Sequence, residues 1–386
     1  MKSLTKNQKS LLLILSSALF EKKYKSDNNK LDFEELKTES LCQTVYTLIY
    51  PVIKDKIPSS LKQDWKNTYN FIISQNLRID YEHTELHKFL TDNHIPYTVL
   101  KGFSAAYYYS EPLNRMMGDV DFLVFDSDVE SVQEILLSSG FESVLSHTSY
   151  HTKFKRGDSL WELHKSMGGI PDGVCGEKIN NYLSNSINKS ELIEYNGITC
   201  RIPDAFDHGL IMLIHVAKHI INGEGVGLRH ICDWAVYVNK VDISEYKLQL
   251  EEIGLWKFAC QLTAVCIKYL GVRRYNWCED VPEKFIISFI EDVFAAGNFG
   301  YKAETRGVAY RMVEHDNMIS SLSSRTKNYY PLTKKYPLLL PLCMIMYAFG
   351  FVWRRITGKM KWVKLSSIKD GVNRRSLYKE FHLFEI

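Results

Sequence analysis

No Cys-x-x-Cys pair occurs in this chain, and its eight cysteines are scattered. That excludes a zinc ribbon and offers no disulfide framework. Scattered thiols suit a reducing cytoplasm. The chain also lacks an excess of either charge. With 48 basic and 45 acidic residues the net charge is +3, too mild by itself to argue for nucleic acid. The low apolar content of a disordered chain is missing too: 45% of the 386 residues are apolar and 24% charged, enough for two or three globular domains. A signal peptide is only loosely imitated. Lys2, Lys6 and Lys9 precede an apolar run, Leu11 to Phe20, of just ten residues, and Glu21-Lys22-Lys23 follow without a good cleavage site. The run reads as a buried amphipathic helix. A clean membrane span is lacking as well. The longest apolar stretch, Tyr336 to Trp353, has eighteen residues and holds Pro337 and Pro341.

What is present centres on Tyr97 to Val124. A strand ends in Lys101-Gly102, a short helix follows, and a second strand carries Asp119 and Asp121. Strand side chains alternate between faces. Val120, Phe122 and Val124 therefore point into a core, and Asp119 and Asp121 share the other face. Two carboxylates that close repel unless a cation lies between them, and hard cations such as Mg²⁺ take oxygen ligands. The bland alternative is the polar face of an edge strand with two solvated aspartates. Gly102 would let backbone approach a phosphate, and Ser104 opens a helix whose N-terminus offers free N–H groups. Arg115 and Gly118, just before the aspartates, supply a cation and a flexible turn for a polyphosphate.

Strand, Gly-x-Ser, helix, then Asp-x-Asp on the next strand resembles the DNA polymerase β-like nucleotidyltransferase superfamily. Leu100-Lys101-Gly102, then Tyr109 and Pro112, then Arg-x-Met-Gly-Asp-x-Asp from Arg115 to Asp121, resembles its bacterial nucleotidyltransferase family 5 branch. The resemblance implies an α+β fold: a small mixed-sheet core flanked by helical regions. It also implies a third carboxylate on a strand beside the Asp-x-Asp strand. In Leu160 to His164, Glu162 is the acid placed to supply it; the alternative is a surface strand glutamate. His164 shares its face, as a phosphate or substrate contact or as a merely packed histidine.

The rest of the chain sorts around that core. Residues 1–95 read as helices, Leu31 to Ile49 and Trp65 to Asn93, with Pro51 and Pro58 as breaks and Phe71, Ile72 and Leu77 as apolar positions. Residues 96–202 form the α/β core. It has a helix after a Ser127–Glu130 capping-box pattern and strands at Phe141 to Leu145, Thr148 to Lys155 and Leu160 to His164. A linking loop follows that could cover the active site, with a hairpin turn near Asn196-Gly197. Residues 203–386 are helical again. His215 and His219 lie four apart on one helix, but no glutamate follows the first and no third ligand is near in sequence, so zinc is not expected. Arg229 and Asp233 are also four apart, which suits a helix salt bridge; the family resemblance suggests instead that this helix pair lines the cleft. After Trp353 come eight basic residues up to Arg375 and a single acid, Asp370. An apolar stretch with a basic flank, residues 336–375, suits an anionic membrane surface. A buried helix with a solvated basic end is the alternative, which the otherwise soluble composition favours.

The resemblance thus implies an enzyme, which the scattered cysteines place in the cytoplasm, membrane-associated if that stretch docks. It would move a nucleoside monophosphate from a triphosphate such as ATP to a hydroxyl of a small molecule, sugar, RNA end or protein. Asp119, Asp121 and Glu162 would hold Mg²⁺ or Mn²⁺, Gly102 and Ser104 would cradle phosphates, and Lys101 or Arg115 would neutralise the leaving pyrophosphate. The rivals are an Asp-x-Asp glycosyltransferase and a non-catalytic partner-binding protein on the same fold.

Overall fold

The computed structural model describes residues 3–22, 24, 31–144, 150–302, 305–313, 318–358 and 362–386. Lys2, Lys23, Leu145 and Thr148, named above, and Lys359 and Lys361, two of the eight basic residues after Trp353, lie outside them. The chain is α+β. Three helices, α1 (Lys6–Phe20), α2 (Phe33–Cys42) and α3 (Tyr46–Ile53), lead into a 34-residue helix, α4 (Ser59–Asp92). The break expected at Pro51 falls instead at Thr44, which takes a positive φ, and Pro51 lies inside α3. Pro58 does mark the start of α4.

The five-stranded sheet is built from β1 (Tyr97–Val99), β2 (Val120–Val124), β3 (Glu142–Val144), β4 (His151–Arg156) and β5 (Ser159–His164), in the order β1-β2-β5-β4-β3. Only the β2–β5 pairing is parallel. β2 is thus an inner strand with every residue buried, which disposes of the solvated edge-strand reading for Asp121; Asp119, expected on the same strand, lies just before it and is half-buried. Between β1 and β2 lies the one-turn α5 (Phe103–Ala106); between β2 and β3 lies α6 (Val129–Ser138), which starts without the expected side-chain cap.

After β5 come α7 (Val174–Leu183) and a hairpin, β6 (Glu191–Tyr195) and β7 (Ile198–Ile202). Asn196 and Gly197 both take positive φ in its two-residue turn, as an Asn-Gly turn requires. The helical remainder is α8 (Ala205–Ile221), α9 (Leu228–Lys240), α10 (Lys247–Glu252), α11 (Trp256–Leu270), α12 (Glu283–Ala296), α13 (Arg306–Arg311), α14 (Met318–Tyr329), α15 (Leu332–Lys335), α16 (Leu340–Ile356) and α17 (Leu365–Lys379).

Two apolar cores hold this together. One is shared by the first and last parts of the chain: Leu11, Leu15 and Ile49 pack in one cluster with residues of α8, α9, α11 and α12 and with Phe381. The apolar run of α1 is therefore buried, as its amphipathic spacing suggests. The other lies between the sheet, α4 and the β6–β7 hairpin, around Phe122, Phe154, Trp161 and Cys200. α4 belongs to both. Trp65 sits in the helical core, while Ile79, Leu86 and Leu90 sit under the sheet. Phe71 and Leu77, two of the apolar positions that give the helix its spacing, are exposed between these two stretches.

Candidate active site

The site forms where the two cores meet. In the parallel ladder Asp121 is the register partner of Glu162, so the alternation of both strands brings the two carboxylates side by side. Asp119 lies one residue before β2. Carboxylate oxygens of Asp119, Asp121 and Glu162 all fall within 4.8 Å of one another. Asp121 is 1% exposed, and its Oδ1 accepts from Lys101 Nζ at 2.9 Å and from His164 Nε2 at 2.9 Å. Glu162 accepts from Lys153 on β4, with His164 Nε2 at 3.6 Å and His151 Nε2 at 3.8 Å. Lys153 and His151 were not singled out from sequence. The cross-strand register Lys153↔Glu162 is the signal that would have found Lys153.

Three carboxylates this close titrate apart. Burial, and next the neighbouring Asp121, push Asp119 up to about 6. Burial alone would raise Asp121 too, but Lys101 and His164 outweigh it and hold it below the ordinary range. Glu162 is likewise pushed up by burial but ends lowered, chiefly by its hydrogen bonds to His164 and Lys153. On the cationic side, burial pulls Lys101 down while Asp121 and Asp119 more than restore it. His164 is also lowered by burial, yet its bonds to Asp121 and Glu162 leave it raised.

Lys101, Gly102, Gly118, Asp119 and Asp121 line a cavity of about 300 Å³. The helical core contributes the rest of its wall, including His208, His215, Arg229 and His230. None of residues 166–202 lines it: the hairpin packs into the sheet core, and Gly168 and Gly169 of the linking loop lie against Tyr150 and against Lys218 of α8.

Two expected phosphate contacts are otherwise engaged. Ser104 is fully buried, and its hydroxyl donates to the Val99 carbonyl. The helix it was expected to open is a single turn. Arg115 is 5% exposed and spent on Asp233, with Nε to Oδ1 at 2.7 Å and Nη2 to Oδ2 at 2.8 Å. Tyr109 donates to the same Oδ1 at 2.7 Å. Asp233 thus pairs with Arg115, not with Arg229, and the expected helix salt bridge gives way to a clamp between α9 and the loop before β2. The third arm of that clamp is Arg115 Nη1, which donates to the Gly102 carbonyl at 3.2 Å. The bidentate geometry fixes the Lys101-Gly102 turn.

Gly102 itself takes φ 66 and ψ −115, where side chains are excluded, and a Cβ there would meet His83 Nε2 at 3.1 Å. Gly102→Ala is therefore expected to cost about 1–2 kcal/mol of stability and to weaken triphosphate binding by displacing Lys101. Urea unfolding and a binding titration check both; an unchanged midpoint would show that the turn carries no strain.

Sequence spacing missed His230. It comes from α9 to join His215 and His219 of α8, and ligating nitrogens of the three lie within 4.8 Å of one another. The third imidazole thus exists, though it is eleven residues beyond His219. Glu224 accepts from His219 Nδ1 at 2.7 Å, which leaves Nε2 buried and, among the described residues, unpartnered. His230 Nδ1 instead accepts from the Gly227 N–H at 3.3 Å, so its buried Nε2 carries the proton. An acceptor beside a donor suits a hydrogen-bonding ligand better than a zinc cage. Phe299 covers the trio, its ring centroid 4.6 Å from that of His219 and 5.1 Å from that of His230, with Arg229 over the ring at 5.5 Å. Phe299 takes φ 53, an uncommon conformation for an aromatic residue and the kind of backbone strain that gathers at functional sites.

Paired carboxylates on adjacent inner strands, with a helical wall bearing cations and imidazoles, form a group that could hold a divalent ion beside an anionic substrate. The chain belongs to a family described as uncharacterised nucleotidyltransferase, whose model matches residues 35–271, more than half its length and the whole of this site's carboxylate half. No curated protein and no solved structure is significantly similar to it. Transferase activity of the nucleotidyltransferase kind, with a nucleotide as substrate, is what the family supports.

Proposed function

We propose that the protein moves a nucleoside monophosphate from a nucleoside triphosphate to an acceptor hydroxyl. The observation that carries this reading is the register of β2 and β5, which sets Glu162 beside Asp121 with Asp119 adjoining, while both aspartates line one cavity with Lys101 and Arg229. The donors fit a hard cation. All are oxygens, and among the described residues Asp119 and Oδ2 of Asp121 accept no hydrogen bond. Asp119, Asp121 and Glu162 would hold Mg²⁺ or Mn²⁺, which when bound screens the triphosphate and aligns it for in-line displacement.

The chain's own residues do the rest. Lys101, held at the cavity floor by Asp121, and Arg229 balance charge on the pyrophosphate as it leaves. Arg115, being spent on Asp233, acts by holding the Gly102 turn so that backbone can approach the phosphates. The acceptor oxygen bonds to the α-phosphorus, the bond from that phosphorus to the bridging oxygen breaks, and pyrophosphate departs. Glu162, kept ionised by His164 and Lys153, accepts the hydroxyl proton. His215, His219, His230 and Phe299 offer hydrogen-bonding groups and a stacking face for the base or the acceptor.

A glycosyltransferase normally places Asp-x-Asp after a longer nucleotide-binding half of strands and helices. Here, among the described residues, β1 is the one strand before the aspartates, and α1–α4 precede it. Incubation with each labelled triphosphate, ATP first, and Mg²⁺ or Mn²⁺, with and without cell lysate, tests the proposal. Label recovered in a small molecule, sugar, RNA or protein identifies the acceptor. Tight triphosphate binding with no label transferred under any condition would instead favour a non-catalytic binding protein.

A further inference from the structure

The apolar segment at the end of the chain is not buried. Pro337–Ile356 has a mean hydropathy of 1.5 over its most apolar stretch, and none of that stretch is buried. On α16 the exposed residues Leu342, Ile345, Met346, Phe349, Val352, Trp353 and Ile356 recur at three- and four-residue spacing and form one stripe, with Phe349 70% exposed. The opposite side, with Tyr347, Ala348 and Phe351, faces Leu322 and Arg325 of α14. So the buried-helix alternative fails on geometry: the helix is docked by one face and presents its apolar face outward.

Charge is distributed to match. Residues 317–369 contain ten Lys and Arg and no Asp or Glu, in a chain whose net charge is only +3. Lys334 and Lys335 precede the stripe, Arg354 lies near its end, and Lys364 and Lys369 follow it. Tyr336, Trp353 and Trp362, all exposed, lie at its ends, where aromatic rings favour the boundary between water and lipid.

By length and composition this segment could cross a bilayer, but the chain on either side of it returns to one body. Tyr378 of α17 packs on Tyr310 of α13, with ring centroids 5.4 Å apart, and donates to Asp292. Arg374 donates to the carbonyls of Gly223 and Arg306. Leu377 and Phe381 sit in the helical core. A single crossing would put α17 on the far side and tear it from that core.

We propose that Pro337–Ile356 docks the protein on an anionic bilayer, lying in the interface with its apolar stripe inserted and its basic flanks on the headgroups, without crossing. Such helices bury their apolar face about 5–10 Å deep, and each basic residue near the surface adds on the order of 1 kcal/mol, screened by salt. The inference is independent of the reaction catalysed.

The test is co-sedimentation of the full chain with vesicles of phosphatidylcholine alone and of phosphatidylcholine with phosphatidylglycerol. Binding is expected only with the anionic lipid, and it should weaken as salt is raised. R354E/K364E/K369E should reduce it roughly a hundredfold at low salt, and F349S/W353S should abolish it while circular dichroism and triphosphate affinity stay as in the parent. Protein left in the supernatant with anionic vesicles at low salt overturns the proposal. So does equal binding to neutral vesicles. Concentration-dependent self-association that F349S/W353S disperses, without lipid binding, would show that a second copy covers the stripe instead.

Discussion

Asp119→Asn and Asp121→Asn are each expected to abolish Mg²⁺-dependent binding of nucleoside triphosphate, yet to move the stability of the ligand-free protein in opposite directions. Simple repulsion between two carboxylates would make either replacement stabilising. The structure breaks that symmetry, because the cations are not shared equally. Asp121 takes both Lys101 and His164, and its carboxyl is held low. It therefore contributes stability above its unfolded pKa that is lost as pH falls through the folded one. Removing its charge takes from Lys101 and His164 the carboxylate they share, leaving only Asp119 and Glu162 to offset them, at a cost of about 2 kcal/mol, discounted for the partial exposure of Lys101. Asp119 has the reverse sign. Its carboxyl is raised to about 6, so folding favours the protonated form, and ionisation costs stability as pH rises through that value. Asp119→Asn should gain about 1 kcal/mol at pH 7.5, and the gain should vanish below about pH 4, where both states are protonated. Thermal unfolding at the two pH values reads the stabilities, and a fluorescent triphosphate titrated with and without Mg²⁺ reads the binding. Mg²⁺-dependent affinity that survives in Asp121→Asn would remove the carboxylates from the site.

Much of this site is legible in the sequence because strand alternation is rigid. Val120-Asp121-Phe122 and Trp161-Glu162-Leu163 each say which side chains share a face, and a parallel pairing then brings the acids together. Long-range pairing carries no such periodic signal. Arg115 and Asp233 are 118 residues apart, and nothing local distinguishes an arginine that binds phosphate from one locked by a carboxylate. His230 fails for a similar reason: i,i+4 spacing finds partners on one helix only, and the third imidazole comes from the next. On α4 the hydrophobic pattern misleads because the helix serves two cores, so the apolar stripe of one stretch does not continue into the other. In α16 the apolar run is visible in the sequence, but hydropathy is blind to whether anything packs on it.

Glu162→Gln separates catalysis from binding. Asp119 and Asp121 remain, so triphosphate affinity should stay within a few-fold, while turnover, read as pyrophosphate release with the acceptor identified by label transfer, should drop by at least about a hundredfold, the usual scale for losing a general base. A merely structural role makes a different forecast. Glu162 holds Lys153 across the strand pair, and if that ion pair were its purpose, Lys153→Met would reproduce the loss. Lys153 is about a third exposed, so breaking the pair should cost under about 1 kcal/mol of stability. For a base that must be ionised, Lys153→Met has a subtler effect. It removes one of the hydrogen bonds that lower the Glu162 carboxyl, leaving His164 as the main influence in that direction. The acidic limb of the pH–rate profile should then shift to higher pH while the plateau rate near pH 8 is kept. Asp121, unprotonated throughout, cannot supply that shift, since its own partners Lys101 and His164 are untouched by the substitution. An unmoved limb in Lys153→Met, together with near-normal turnover in Glu162→Gln, would return Glu162 to the framework of the sheet and send the search for the base to His164 and the imidazoles of α8 and α9.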